Sequence, residues 1–188
     1  MAEGQAQEAI SLLERLGRLL SIDAHVERLL PVQWETLRYL NKANQFSRTH
    51  AAVVSYLGLT KGTVSQTLKA LETKGLIRKV IDKADRRSSR LELTAQGRKM
   101  LQRDPIANWV DQFQTMSAAE RDGMTQGLSA LLDQRLSAQG RAQFGQCKSC
   151  AYFRAKHLEG KPHYCDLLKT GLTSESAILI CAEQRSTL

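Results

Sequence analysis

Residues 60–74 (TKGTVSQTLKALETK) predict a helix with one apolar face. The segments before and after it are the elements that this face would pack against. Thr60 is a residue type that caps helix starts, and no proline interrupts the residues that follow. Apolar residues recur at helical spacing and predict the buried face: Val64, Leu68, Leu71 and Leu76. The opposite face is polar, as on many solvated helices, so this helix alone does not identify a function.

The segments on either side predict a helix-turn-helix followed by a β ribbon. Residues 49–57 have the pattern of a short helix, and Gly58 follows where the chain must bend. Gly75 is placed to end the second helix. Two short strand patterns, 77–81 and 89–93, are joined by a basic loop. Together these elements predict a winged helix-turn-helix, in which the ribbon is the wing.

Two parts of this unit carry side chains that suit DNA. The second helix offers donors and cations for base edges and phosphates. These candidate DNA-binding residues are Thr60, Lys61, Thr63, Ser65, Gln66 and Lys69. Arg86 and Arg87 lie at the tip of the wing, and a narrow minor groove attracts guanidinium groups. Residues 61–90 hold nine Lys or Arg against three Asp or Glu, which is six of the net charge of +8, so double-stranded DNA is the expected partner.

The run LGLTKGTVSQTLKALETKGLIRKVIDKADRRSSRLELTAQG closely resembles the winged helix-turn-helix of the MarR family of bacterial regulators. Its most specific parts are GTVSQTLKALETKGLI and DRRSSRLELT, and residues 30–34 (LPVQW) match the way that family opens its second helix. The resemblance covers residues 5–138. It implies a homodimer on a pseudo-palindromic operator, with intertwined terminal helices and at least one wing arginine in the minor groove. Relatives of this kind often bind small ligands, so a small-molecule effector is a possible further partner.

Helical periodicity continues on both sides of the winged unit. Residues 5–28 carry an apolar stripe that either a partner subunit or intramolecular packing would bury. Residues 32–42 predict the next helix, and a polar connector follows it. Pro105 is expected to kink or divide the helix beyond the wing. Ser117 and Glu120 form a capping box that predicts the start of a last long helix.

The predicted fold class is mainly α with a small β wing, and 188 residues allow one domain with a small appendage. The predicted regions are an N-terminal dimerisation helix (1–30), a winged helix-turn-helix DNA-binding domain (31–98), C-terminal dimerisation helices (99–140) and a four-cysteine metal or Fe–S module (141–188). No apolar run reaches transmembrane length and the N-terminus lacks the pattern of a signal peptide, so a cytoplasmic location without membrane attachment is expected. The helices contain no catalytic triad or paired carboxylates, so no enzymatic activity is expected.

All the cysteines lie near the C-terminus, in the pattern C-x2-C-x14-C-x15-C: Cys147, Cys150, Cys165 and Cys181. In a reducing compartment, four thiols within 35 residues favour a metal or cluster centre over disulfides. One close pair with two isolated cysteines is similar in spacing to the iron–sulfur loop of some DNA-repair glycosylases and nucleases. The expected cofactor is therefore an iron–sulfur cluster ([4Fe–4S] or [2Fe–2S]), with Zn²⁺ as the alternative. His157 and His163 are possible substitute ligands.

The combined prediction is a homodimeric DNA-binding transcription regulator that senses redox or iron–sulfur status through a four-cysteine centre. The state of the centre would shift the separation of the two DNA-reading helices. Three alternatives stay open: a MarR-type regulator with a structural zinc tail that responds to a small ligand, metal-free thiols that act as an oxidation switch, and a DNA-acting metalloenzyme.

Overall fold

The computed structural model of the chain describes residues 2–81, 89–155 and 161–185. The helices are α1 (Ala2–Asp23), α2 (Pro31–Lys42), α3 (His50–Leu57), α4 (Lys61–Thr73), α5 (Ala95–Leu101), α6 (Ile106–Gln114), α7 (Ala118–Ala138) and α8 (Ser174–Ala177). The strands are β1 (Ile77–Ile81), β2 (Ser89–Leu93), β3 (Gly145–Gln146), β4 (Phe153–Ala155), β5 (His163–Cys165), β6 (Thr170–Leu172) and β7 (Ile180–Cys181). The predicted fold class, mainly α with a small β wing, is confirmed.

The core lies between α2, α3, α4 and the antiparallel β1–β2 ribbon. Val64, Leu68 and Leu71 on α4 are almost completely buried, which confirms the predicted inner face of this helix. They pack with Trp34 of α2 and Val53 of α3. Since each large apolar side chain contributes about 1.5–3 kcal/mol when it is fully buried, this cluster holds α4 firmly against its support.

Hydroxyl side chains begin the helices where the sequence predicts. Thr49, Thr60 and Thr94 each accept a hydrogen bond from a backbone N–H three residues further on, at the starts of α3, α4 and α5. Gly58 ends α3 with φ of +66°, a left-handed conformation that side chains with a Cβ rarely adopt. This turn sets the angle at which α4 leaves α3.

The N-terminal helix is shorter than predicted. It ends at Asp23 instead of continuing to residue 28, and Glu27 and Arg28 have positive φ values of 55° and 57°. Ala24 and Leu29 are both buried in the core of the winged unit. Ala24 still donates to the Leu20 carbonyl as a helical residue does, so the chain changes direction only after it and then buries Leu29.

Two other predictions concern segments between helices. Pro105 divides the helix beyond the wing, because α5 ends at Leu101 and α6 begins at Ile106. The polar connector predicted at residues 41–48 links α2 to α3. Its Asn44 and Ser47 are buried in the protein interior, where both are only 1% exposed.

The apolar faces of α1 and α7 remain exposed on the single chain. Ile10 on α1 is 54% exposed and Leu132 on α7 is 56% exposed, and several neighbouring leucines are also exposed. No helix in the described part of the chain is both long and apolar enough to cross a membrane.

The C-terminal segment folds as two small antiparallel units. β3 pairs with β7, and β4, β5 and β6 form a three-stranded sheet. A short 3-10 turn, Cys147–Ser149, links them, so residues from both units meet at one point. This segment packs against residues 43–47, where Ala43 forms a parallel bridge with Ile180.

Candidate DNA-binding surface and cysteine cluster

The polar face of α4 is exposed as predicted. Lys61, Thr63, Ser65, Gln66 and Lys69 are all exposed along this helix. They lie opposite the buried apolar face, so the side chains that suit base edges and phosphates share one accessible surface.

Thr60 also has a structural role at the start of α4. Its Oγ1 accepts a hydrogen bond from the Thr63 backbone N–H at 3.2 Å and lies 2.9 Å from the Thr63 hydroxyl oxygen. The Thr60 side chain therefore fixes the first turn of the helix that carries the other candidate residues.

His50 is a surface residue that the sequence interpretation missed. It begins α3, and its Nε2 lies 2.9 Å from the Oγ of Ser65 on α4. Ser65 is exposed and His50 is half-buried, so the hydrogen bond fixes the Ser65 hydroxyl on the candidate DNA-binding surface. A histidine at the first position of the preceding helix was the only signal for it in the sequence.

The wing begins as predicted, with Ile81 paired to Ser89 at the outer end of the ribbon. Arg86 and Arg87 fall in residues 82–88, outside the described part of the chain. Some of the basic excess is paired within the protein: Arg78 Nη2 lies 2.8 Å from Glu92 Oε2 across the ribbon. The local positive charge is thus smaller than the count of basic residues suggests.

The four cysteines meet around one small apolar cavity of about 10 Å³. Cys147 and Cys181 are buried, whereas Cys150 and Cys165 are partly exposed, and all four are free thiols. The other residues that line the cavity are Tyr152, Phe153, Leu167, Leu168, Leu172 and Glu183. Across residues 2–81, 89–155 and 161–185, no three His, Cys, Asp or Glu side chains are arranged to hold a metal ion. The thiols therefore share one cavity without forming a closed set of ligands.

Hydrogen bonds make the two buried thiols unequal. The Cys147 thiol donates to the Cys181 sulfur, which raises the pKa of Cys147 together with burial. The pKa of Cys181 is lowered mainly because its sulfur accepts this bond, while burial acts in the opposite direction. Hydrogen bonds from Asn44, the Glu183 backbone N–H and Ser47 lower the pKa further. Of the two buried thiols, Cys181 is therefore the one that better stabilises negative charge, and thiolates are the form that binds metals.

Donors outside the cysteines also reach the sulfurs. The Asn44 Nδ2 donates to Cys147 Sγ at 3.5 Å, and the Arg185 backbone N–H donates to Cys150 Sγ at 3.5 Å. Such N–H donors around sulfur are a feature of cysteine-bound metal centres. His163 packs against Phe153 with ring centroids 4.9 Å apart and does not line the cavity, and His157 lies outside the described residues.

A second cavity of about 340 Å³ lies between α1, α2 and α6. Its wall includes Asp23, whose Oδ2 accepts a hydrogen bond from Trp109 Nε1 at 2.9 Å, and Arg38, which pairs with Asp104 at 2.8 Å. Glu35 also lines it, and burial raises the pKa of this carboxyl while Arg38 partly opposes the shift. This volume is within the range of small-molecule sites.

Known proteins match the winged part of the chain and, among solved structures, about two thirds of the whole chain. The sequence model of the MarR family matches residues 29–88, which end before the cysteines. The MepR–DNA complex of S. aureus is 25% identical with a TM-score of 0.55, and the match covers 66% of this chain and 96% of that one. A MarR transcriptional regulator from Methanosarcina mazei Go1 is 23% identical with a TM-score of 0.58, covering 72% and 99%. BldR from Sulfolobus Solfataricus is 20% identical with a TM-score of 0.56, covering 71% and 96%. No curated protein sequence matches the chain.

Proposed function

We propose that this chain is a homodimeric transcription regulator that binds double-stranded DNA, and that its four cysteines form a metal–thiolate centre that controls the binding. One observation carries the first part. The exposed polar face of α4 is held by a buried apolar face within residues 29–88, the segment that the MarR family model matches.

On this proposal, α4 enters the major groove and the wing lies along the adjacent minor groove. Gln66 and Ser65 would face base edges, and Lys61 and Lys69 would neutralise phosphates. Arg86 or Arg87 would insert into the minor groove. The similar MepR of S. aureus was solved in complex with DNA, which supports this use of the fold.

The exposed apolar faces support the homodimer. Ile10 and Leu132 are each more than half exposed on the single chain. A second copy would bury these faces of α1 and α7 and place two α4 helices in successive major grooves. Residues 1–30 and 99–140 would then be the dimerisation regions, and the operator would be pseudo-palindromic.

The gathering of all four thiols around one cavity supports a thiolate centre. The N–H donors at Cys147 and Cys150 suit sulfurs that carry negative charge. Zn²⁺ would enter a cavity of about 10 Å³ with the least movement. An iron–sulfur cluster, which the cysteine spacing favours, would need the partly exposed Cys150 and Cys165 to move outward. Redox sensing belongs to the cluster, whereas zinc would make the module structural.

The cavity between α1, α2 and α6 favours a second candidate function, the binding of a small effector. Its polar side chains, Asp23, Glu35 and Arg38, surround a volume large enough for a small molecule. If the centre holds zinc, this cavity becomes the proposed site of the signal.

The DNA-binding part is tested with a duplex selected from a random-sequence pool. Replacing Lys61 and Lys69 together with alanine is expected to lower the affinity for the duplex. It is also expected to reduce the slope of log affinity against log salt concentration by the equivalent of about two phosphate contacts. The matched control is Lys42→Ala combined with Lys99→Ala, because it also removes two charges, from exposed positions on α2 and α5. Failure to select any preferred duplex would contradict the proposal, as would equal losses in both variants.

A further inference from the structure

The connector between α2 and α3, residues 43–49, joins the cysteine segment to the DNA-binding unit. The Asn44 backbone N–H donates to the Ile180 carbonyl at 2.8 Å. The Ala182 backbone N–H donates to Ser47 Oγ at 2.8 Å. Asn44 and Ser47 are both buried, so these bonds are shielded from water. The cysteine segment is thus bonded to the connector, although α7 is the last helix before it.

Asn44 links this connector directly to a sulfur. Its Nδ2 donates to Cys147 Sγ at 3.5 Å, while its Oδ1 accepts from the backbone N–H groups of Phe46 and Ser47, each at 3.0 Å. Side-chain hydrogen bonds also join Ser47 and Asn44 to the Cys181 sulfur. The same two side chains therefore shape the connector and contact the cysteine cluster.

The connector also supports the parts that would contact DNA. The Arg48 carbonyl accepts from the backbone N–H of Leu91 in the wing at 2.7 Å. Thr49 caps α3 by accepting from the Ala52 N–H at 3.1 Å. The next residue, His50, contacts Ser65 on α4. A change in the connector would consequently reach the wing and α4 within one subunit.

We propose that Asn44 and Ser47 are positioning residues through which the thiolate centre sets the geometry of the DNA-binding unit inside each subunit. This inference rests on the proposed four-cysteine centre. Sulfurs in such a centre carry more negative charge than free thiols and accept stronger hydrogen bonds. Loss of the centre weakens the bonds from Asn44 and Ser47, and the connector loosens beneath the wing and α3. This route acts within one subunit and is distinct from the expected change in the separation of the two reading helices.

The variant that isolates this contact is Asn44→Asp. It keeps the side-chain oxygen that accepts from Phe46 and Ser47, and it replaces the donor to Cys147 with an oxygen that repels the sulfur. Asn41→Asp is the matched control, because it adds the same charge at an exposed position of α2 three residues earlier.

Metal binding gives a readout that does not depend on DNA. With Co²⁺ as the probe, thiolate charge-transfer absorption reports the ligands, and competition with a chelator gives the affinity. The Asn44→Asp protein is expected to bind Co²⁺ roughly 10- to 100-fold more weakly, as for other residues that hydrogen-bond to metal ligands. The Asn41→Asp protein is expected to match the wild type. Equal Co²⁺ affinity in all three proteins would overturn the inference.

The coupling to DNA is measured as the ratio of duplex dissociation constants with the metal removed and with the metal bound. We expect the wild type and the Asn41→Asp protein to have the same ratio, well away from one. The ratio of the Asn44→Asp protein is expected to approach one. If Asn44→Asp keeps the wild-type ratio, the inference fails while the proposed function stands. If the wild-type ratio is itself one, the proposed control by the centre fails, and the positioning role fails with it.

Hydrogen exchange of the wild-type protein keeps the inference testable if Asn44→Asp does not fold. Metal removal is expected to speed exchange at the backbone N–H groups of Ser47 and Ala182, whose acceptors are the Asn44 and Ser47 side chains. Unchanged exchange at both amides would overturn the inference.

Discussion

Gly97 lies in the first turn of α5, directly against the backbone that follows α4. A Cβ built at this position would lie 2.0 Å from the Leu76 carbonyl oxygen, and separations below 3.0 Å are essentially never seen. Since that oxygen is part of the backbone, Gly97→Ala requires α5 or the β1 strand to move by about 1 Å.

The cost of this movement follows from the bonds that join α5 to Leu76. The Thr94 backbone N–H donates to the Leu76 carbonyl at 3.1 Å, and the Thr94 hydroxyl donates to the Gly75 carbonyl at 2.7 Å. Overpacking costs about 1–3 kcal/mol, and each weakened hydrogen bond costs about 1 kcal/mol. Since alanine in a helix regains about 0.5–1 kcal/mol over glycine, we expect Gly97→Ala to lower the free energy of unfolding by about 2–4.5 kcal/mol.

Urea unfolding followed by circular dichroism measures this loss. Gly62→Ala is the control, because Gly62 is in the first turn of α4 and an added Cβ there has only an ordinary contact at 3.9 Å. It is expected to raise the stability by about 0.5–1 kcal/mol. All samples need the same protein concentration and metal load, since dimerisation and metal binding both add stability. A Gly97→Ala protein as stable as the wild type would refute this packing.

Three further substitutions test other parts of the molecule. Gln66→Ala is expected to cost about 1–3 kcal/mol of DNA-binding free energy on the preferred duplex and to relax the base preference at one position of each half-site. Binding to single-base variants of the duplex would show this change, and an unchanged base preference would exclude a base contact. Cys165→Ser is expected to abolish stable metal binding and to bind the duplex with the affinity of the metal-free wild type. Elemental analysis that finds wild-type metal content would remove this cysteine from the centre. Arg38→Ala breaks a 2.8 Å ion pair with Asp104. The Arg38 side chain is 25% exposed and the Asp104 side chain 10% exposed. It is expected to lower stability by about 1.5–3 kcal/mol in thermal unfolding, whereas an unchanged melting temperature would show that the pair contributes nothing.

The winged unit could be predicted from the sequence because its signals are local. The apolar spacing from Val64 to Leu71, the capping threonines and the strand patterns each act within a few residues. Gly58 marked the turn between α3 and α4, and the structure gives it the expected positive φ. Tertiary packing agreed with these local preferences, so the elements formed close to their predicted bounds.

The remaining features depend on contacts between distant residues. Asn44 and Cys147 are 103 residues apart in sequence, and nothing near Asn44 indicated that it would be buried against a sulfur. The end of α1 was missed for a similar reason, since the chain turns after Ala24 and brings Leu29 into the core. Four thiols line one cavity, but the cysteine spacing did not indicate that two of them, Cys147 and Cys181, would lie against the α2–α3 connector.

The most direct test of the account is one titration of anaerobically purified protein. A chelator removes the metal from the four-cysteine centre while the released metal and the affinity for the selected duplex are followed in the same sample. We expect every chain to release the metal of one centre and the DNA affinity to change by roughly 5- to 150-fold, the usual range for coupled sites. Protein that contains no metal, or that binds the duplex equally well after losing it, would contradict control of DNA binding by the cysteines.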